Sequence, residues 1–192
     1  IFMLIENSWV LPACLHRCGP LSEGIIAACF RVTRHEPRTH VRNSPRSSPV
    51  NTQAMVERLF PMLITGDRNG ARSTVRDWMS EGLAPEILTQ EVYWPLLDMV
   101  NDLFRRDQLT TLAHHYATRL LRSLVDQAQA CYEQQDRKGR TMMLFCGDTE
   151  ADDLAAQMVA DLAEAGGYTV SFGGGGIAYD ELLAAVHESS PN

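Results

Sequence analysis

The stretch TMMLFCGDTEADDLAAQMVADLAEAGGYTVSF, residues 141–172, decides the fold, because its hydrophobic period changes three times. TMMLFC is a short apolar run. EADDLAAQMVADLAEAGG repeats apolar residues at helical spacing and ends in Gly166 and Gly167, and YTVSF alternates. A second helical pattern, YDELLAAVHESS, follows. Strand, helix, strand, helix at these lengths predicts a βαβα unit with parallel strands, since parallel neighbours need a long crossover. Open α/β sheets bind ligands beyond the carboxyl ends of their strands. The ligand edge is therefore expected at residues 147–153 and 173–177.

Upstream the pattern is helical. TQAMVERLFPMLITGD ends in Gly66 and Asp67, GARSTVRDWMSEG ends in Gly82, and APEILTQEVYWPLLDMVNDLFRRD starts with Pro85 in its first turn, where a missing N–H costs nothing. Pro61 and Pro95 are expected to kink or interrupt their helices. The clearest pattern is the fourth, in which Leu109, Leu112, Ala113, Tyr116, Ala117, Leu120, Leu121, Leu124 and Ala128 recur at helical spacing. Four helices with short connections predict an antiparallel four-helix bundle. The chain thus divides into an irregular N-terminal extension at 1–52, a helical bundle at 53–136 and an α/β unit at 137–192.

The extension from Arg31 to Thr52 is rich in Arg, Ser and Pro and offers no face to bury, so it is expected to be a linker or disordered arm. Residues 1–30 match neither a signal peptide nor a helical stripe. The net charge of −7 divides into +3 on residues 1–52 and −10 on the remainder. An acidic body binds DNA phosphates poorly, so any role in gene regulation would run through a protein partner, with DNA binding weak or indirect. The 5 cysteines show no disulfide framework, which favours the reducing cytoplasm. No apolar run is long enough to cross a bilayer. The pair Cys14 and Cys18 around His16 lacks a second pair to close a tetrahedral metal site.

The acidic loop that opens the central helix has a plain structural explanation. Thr149 is a good N-cap, Asp152 stands three residues on as in a capping box, and Glu150 and Asp153 complement the positive end of the helix dipole. A dinucleotide site is disfavoured, because carboxylates here would repel a pyrophosphate. A receiver-type phosphoryl pocket lacks its later strands. The run Gly173–Gly176 serves either a flexible loop or a close approach of a flat ring to the backbone.

A helical bundle followed by this βαβ unit resembles the cobalamin-binding module of corrinoid methyltransferase proteins and CarH-like repressors. In that family an Asp/Glu-x-His-x-x-Gly loop precedes a Gly-aromatic pair by fifteen residues. Counted back from Gly167 and Tyr168, the motif falls on Glu150, Asp152 and Ala155, so Asp152 stands where the family carries its cobalt-ligating His. A carboxylate is a poorer partner than imidazole for the lower face of a cobalt corrin. The cap motif Trp-x9-Glu-His is matched by Phe104, His114 and His115. The family's later elements have no room before Asn192, so the α/β unit is expected to be incomplete at its C-terminus.

The resemblance implies a Rossmann-like (flavodoxin-like) α/β fold under a helical cap, and a bound tetrapyrrole, cobalamin first and haem as the alternative. The implied cofactor-binding set is Phe104, His114, His115, Thr149, Glu150, Asp152, Asp153, Ser171, Gly173, Gly174 and Gly175. His115 is the first choice of metal ligand and His114 the second. With Leu109 at zero on a helical wheel, the apolar stripe centres near zero, with His114 at about 140° and His115 at about 240°. The two imidazoles flank it on opposite sides and are not expected to share one ligand atom. Without a helix-turn-helix or catalytic module, the chain is most similar to AerR/PpaA-type photosynthesis regulators. That similarity implies a non-enzymatic, light- or redox-responsive antirepressor that binds a repressor of the CrtJ/PpsR type. The rival expectations are a corrinoid carrier of a methyltransferase system and a cofactor-free interaction module.

Overall fold

The computed structural model describes residues 51–189, together with the backbone of Phe2–Ile5 and Ser8–Val10. Residues 31–50 of the arm expected from Arg31 to Thr52, and the Cys14–Cys18 pair, lie outside the described residues, while Asn51 and Thr52 belong to the start of a helix. The elements are β1 (Phe2–Ile5), β2 (Ser8–Val10), α1 (Thr52–Thr65), α2 (Arg68–Ser80), α3 (Pro85–Leu88), a π-helical turn (Thr89–Tyr93), α4 (Trp94–Arg105), α5 (Thr111–Gln129), β3 (Thr141–Phe145), α6 (Glu150–Ala165), β4 (Thr169–Gly174) and α7 (Tyr179–Ser189).

Local chemistry sets the helix ends. Asn51 Oδ1 accepts from the Ala54 N–H (3.2 Å), Asp67 Oδ1 from the Gly70 N–H (2.9 Å) and Thr110 Oγ1 from the Ala113 N–H (3.2 Å), each satisfying a first-turn donor. Gly66 ends α1 in the left-handed region (φ 74°), which a side chain would resist. The two prolines behave differently. The helix runs on through Pro61. At Pro95 the interruption takes the form of the π turn just before it, in which the Trp94 N–H donates to the Thr89 carbonyl five residues back.

β3 and β4 pair in parallel from Thr141 opposite Thr169, with α6 as their crossover, as the period changes predict. The sequence gives no sign of the antiparallel addition of β1 to β3, which makes a sheet of order β2-β1-β3-β4. Two apolar cores meet on α6. Leu154, Met158 and Ala165 pack into the bundle core with Leu59, Tyr93 and Leu121. Ala156 and Ala160 pack with Met142 and Leu144 of β3. Small residues on that second face let helix and sheet approach closely.

The stripe expected on α5 needs correction. Leu112 and Tyr116 are 60% and 45% exposed, whereas Ala117, Leu120, Leu121, Leu124, Val125 and Ala128 are buried. Five of these six belong to the expected stripe, whose nine residues average about 40° and not zero on the wheel, whereas the buried six centre near 90°. The cause is tertiary: the first turns of α5 face solvent on the side where a buried stripe was expected, and Val125 is recruited where α6 packs.

Candidate corrinoid cleft

The functional residues gather where the first half of α5 faces the start of α6. On α5, His115, Thr118, Arg119 and Arg122 share a face by their spacing of three and four residues. Opposite it stand Glu150 and Asp153. Thr118, Arg119, Arg122, Glu150 and Asp153 line a cavity of about 310 Å³ between the two helices. Arg122 ties the helices together. Its guanidinium donates to Asp153 Oδ2 (2.8 Å) and Gln157 Oε1 (2.8 Å), and more weakly to the Glu150 carbonyl (3.4 Å). Gln157 returns the link through Nε2 to Asp126 Oδ1 (2.7 Å) on α5.

The histidines occupy different environments. His114 is half-buried, stacked on Phe104 with ring centroids 4.2 Å apart, and its Nε2 donates to Asn101 Oδ1 (3.1 Å). That bond leaves the ring lone pair on Nδ1. Burial first, and then neighbouring His115, hold the His114 imidazole below its ordinary pKa, while Glu150 pulls the other way. His115 is exposed, its ring centroid 6.1 Å from that of His114 with a tilt of 54°. Among the described residues no hydrogen bond ties the His115 ring.

The acidic loop caps its helix. Thr149 Oγ1 accepts from the Asp152 N–H (3.1 Å) and donates to Asp152 Oδ2 (2.6 Å). The Asp152 carboxylate lies against Gly147. Asp148 Oδ1 accepts from the Gly176 N–H (2.7 Å), and the Cys146 N–H donates to the Gly174 carbonyl (3.0 Å). These bonds stitch together the two loops predicted to form the ligand edge. Burial and the nearby Asp153, Asp152 and Asp148 push the Cys146 thiol pKa up, which keeps it protonated and a poor nucleophile.

The glycine run has internal reasons. A side chain at Gly175 would strike the Gly147 carbonyl, and one at Gly173 would meet the Phe145 ring. Gly174 and Gly176 adopt positive φ (75° and 73°). Ser171 lies exposed in the middle of β4. Of the expected residues, Glu150 and Asp153 line the cleft, Phe104, His114 and His115 form a ring cluster of their own, and Thr149 and Asp152 cap α6. Asn101, Thr118, Arg119, Arg122 and Gln157 escaped sequence reasoning. Arg122 and Asp153 lie 31 residues apart, and no local pattern joins them.

Residues 55–129 match the B12 binding domain family. The matched residues are α1 to α5, the helical half that carries Phe104, His114 and His115. This match supports cobalamin as the cofactor. No curated protein matches the sequence. Among solved structures, the chain is similar to the monomethylamine corrinoid protein of Methanosarcina barkeri, with 10% identity and a TM-score of 0.58 over 72% of this chain and 65% of that one. It is also similar to the methanol:cobalamin methyltransferase complex MtaBC from Methanosarcina barkeri, with 15% identity and a TM-score of 0.44 over 74% of this chain and 55% of that one. The chain therefore spans less than two thirds of the length of either protein. At these identities the likeness is one of fold: a mostly helical chain with a small parallel β3–β4 pair, consistent with a Rossmann-like B12-binding fold. No helix among the described residues is long and apolar enough to cross a membrane.

The residues fit a corrinoid in their donor chemistry. The exposed His115 imidazole stands one turn before Thr118 and Arg119 of the cleft lining, and imidazole is a borderline donor suited to late transition metals. Among the described residues no group of three or more His, Cys, Asp or Glu could hold a bare metal ion. The cavity of about 310 Å³ is at the lower limit for a ligand pocket, usually about 300–1,000 Å³.

Proposed function

We propose that this chain is a cobalamin-binding module that presents its corrinoid to a protein partner, as a carrier domain of a methyl-transfer system does. The observation that carries the reading is the position of His115: an exposed imidazole, within the residues that match the B12 binding domain, one helical turn before Thr118 and Arg119 of the α5–α6 cleft. Cobalamin supplies a cobalt centre able to accept and release an axial ligand. His115 would hold the metal on the side of the helical cap, and Phe104 with Asn101 would keep His114 upright beside it. Arg119 and Arg122 would meet the amide-bearing rim of the corrin, where guanidinium groups donate to carbonyl oxygens.

A second reading, the antirepressor of the AerR/PpaA type acting on a CrtJ/PpsR-type repressor, is favoured by one observation. Asp152 occupies the place of the family's lower cobalt ligand and is committed to Thr149. A module without that ligand suits sensing, where ligand exchange at the metal changes the packing of the cap.

The test is an aquocobalamin titration of the full chain followed by absorption in dark and light. Binding is expected to shift the visible bands, and His115→Ala to return them to those of free cofactor, while His114→Ala leaves most of the shift. Unchanged spectra in both variants would remove the ligand assignment. Methyl transfer from the methylated cofactor to an added acceptor enzyme supports the carrier, and a light-dependent spectral change without transfer supports the sensor.

A further inference from the structure

The molecule carries a second surface whose chemistry runs against its overall charge. Arg68, Arg72 and Arg76 recur at every fourth residue and so occupy one flank of α2. That flank faces α5, because Arg72 Nη2 donates to Ser123 Oγ (2.9 Å) and Tyr116 packs against Gly66 at the start of α2. Gly66 beside Tyr116 and Arg72 beside Ser123 mean that the helices run in the same direction. Along this seam α5 exposes Leu112 (60%), Tyr116 (45%) and Arg119. From residue 53 onward acids outnumber bases by 21 to 11, yet among the described residues Arg68, Arg76 and Arg119 form no ion pair. Arg72 is fixed in place, and its buried Nε has no acceptor.

We propose that the α2–α5 face is a docking surface for an acidic, leucine-bearing segment of a protein partner. Arg68, Arg76 and Arg119 offer guanidinium N–H forks to carboxylates, while Arg72 is engaged with Ser123. Leu112 and Tyr116 offer an apolar strip between them, and Arg and Tyr are the residue types enriched where proteins meet. The net charge argues for a protein segment over nucleic acid. A long polyphosphate would be repelled by the acidic body, whereas a short acidic segment meets the local positive field. Arg119 lines the cleft as well, so the part of the surface that stands apart from the corrinoid reading is Arg68 and Arg76, which do not line it.

Fluorescence anisotropy with the full chain tests it. The probes are a short labelled amphipathic peptide of Glu and Leu, the same peptide with Lys for Glu, and a labelled single-stranded oligonucleotide. The acidic peptide is expected to bind, to weaken with added salt, and to lose roughly tenfold or more in affinity with Arg68→Glu/Arg76→Glu. Leu112→Ser, at an exposed position, should weaken binding with the charges intact. Cobalamin titration and thermal melting of the variants report whether the fold is kept. Equal binding of the acidic and basic peptides, tighter binding of the oligonucleotide, or indifference of acidic-peptide binding to both sets of substitutions would overturn the proposal.

Discussion

Asp161 is the residue whose charge is least at ease. It stands on α6 where that helix meets α5; its Oδ2 is buried without a hydrogen-bond partner, and burial first, then Glu164 and Asp126, push its carboxyl pKa up to about 6. The folded chain therefore holds this proton more tightly than the unfolded chain, whose Asp titrates near 4. Stability from this group is full below about pH 4 and is lost as the pH rises through about 6. Asp161→Asn is expected to stabilise the protein at pH 8 by about 1 kcal/mol, after discounting for its partial exposure, and to do little at pH 4. Urea midpoints at the two pH values measure the difference, and an equal effect at both would contradict the ionisation argument. None of this was legible from the sequence, where Asp161 is one polar position of an amphipathic helix. His114 and His115 were legible as a pair, but their unlike roles were not: Asn101 and Phe104, which tie down His114, come from another helix.

At the scale of elements, the strand, helix and strand of 141–172 were readable because each carries its own period and α6 carries its own cap. The π turn was half readable, since Pro95 announces a missing donor without saying how the backbone responds. The four glycines at the strand end were readable as a flexible loop or as space for a flat ring, and the structure adds that Gly173 and Gly175 serve the loops' own packing. Gly175→Ala would drive Cβ into the Gly147 backbone, which cannot rotate away, and is expected to cost about 1–3 kcal/mol. Gly176→Ala meets nothing within 4 Å and bears only the positive-φ penalty, about 1–2 kcal/mol. Denaturation curves of both rank them, and a harmless Gly175→Ala would show that the loops are not packed as described. Arg122→Ala removes two charge-assisted bonds across the α5–α6 seam at a partly exposed site and is expected to cost about 1–2 kcal/mol. Because Arg122 is also placed against the corrin rim, stopped-flow displacement is expected to show faster cobalamin release from the variant, and unchanged release would remove that contact.

For the whole molecule, the sharing of α6 matters more than the boundary between bundle and α/β unit suggested by the polar segment at 134–140. One face of α6 completes the bundle core with Leu154 and Met158, and the other completes the sheet core with Ala156 and Ala160. Neither half can lose the helix without exposing apolar surface that is now buried. The polar segment itself is tied to the end of α6, where the Gln135 N–H donates to the Ala165 carbonyl (2.8 Å) and the Lys138 N–H to the Gly167 carbonyl (2.9 Å). The chain is therefore expected to unfold in one cooperative transition, with circular dichroism at helical wavelengths and tryptophan fluorescence from Trp9, Trp78 and Trp94 coinciding. A fragment ending at Asp136 should melt lower and less sharply than the full chain, because Leu121, Val125 and Tyr93 lose their cover from α6. Cobalamin at about a hundred times its dissociation constant should raise the single transition by about 2.7 kcal/mol, since a ligand bound across the α5–α6 seam stabilises both halves together. Two separated transitions, with only the first moved by cobalamin, would instead mean that the halves fold independently and that the seam is only a contact between them.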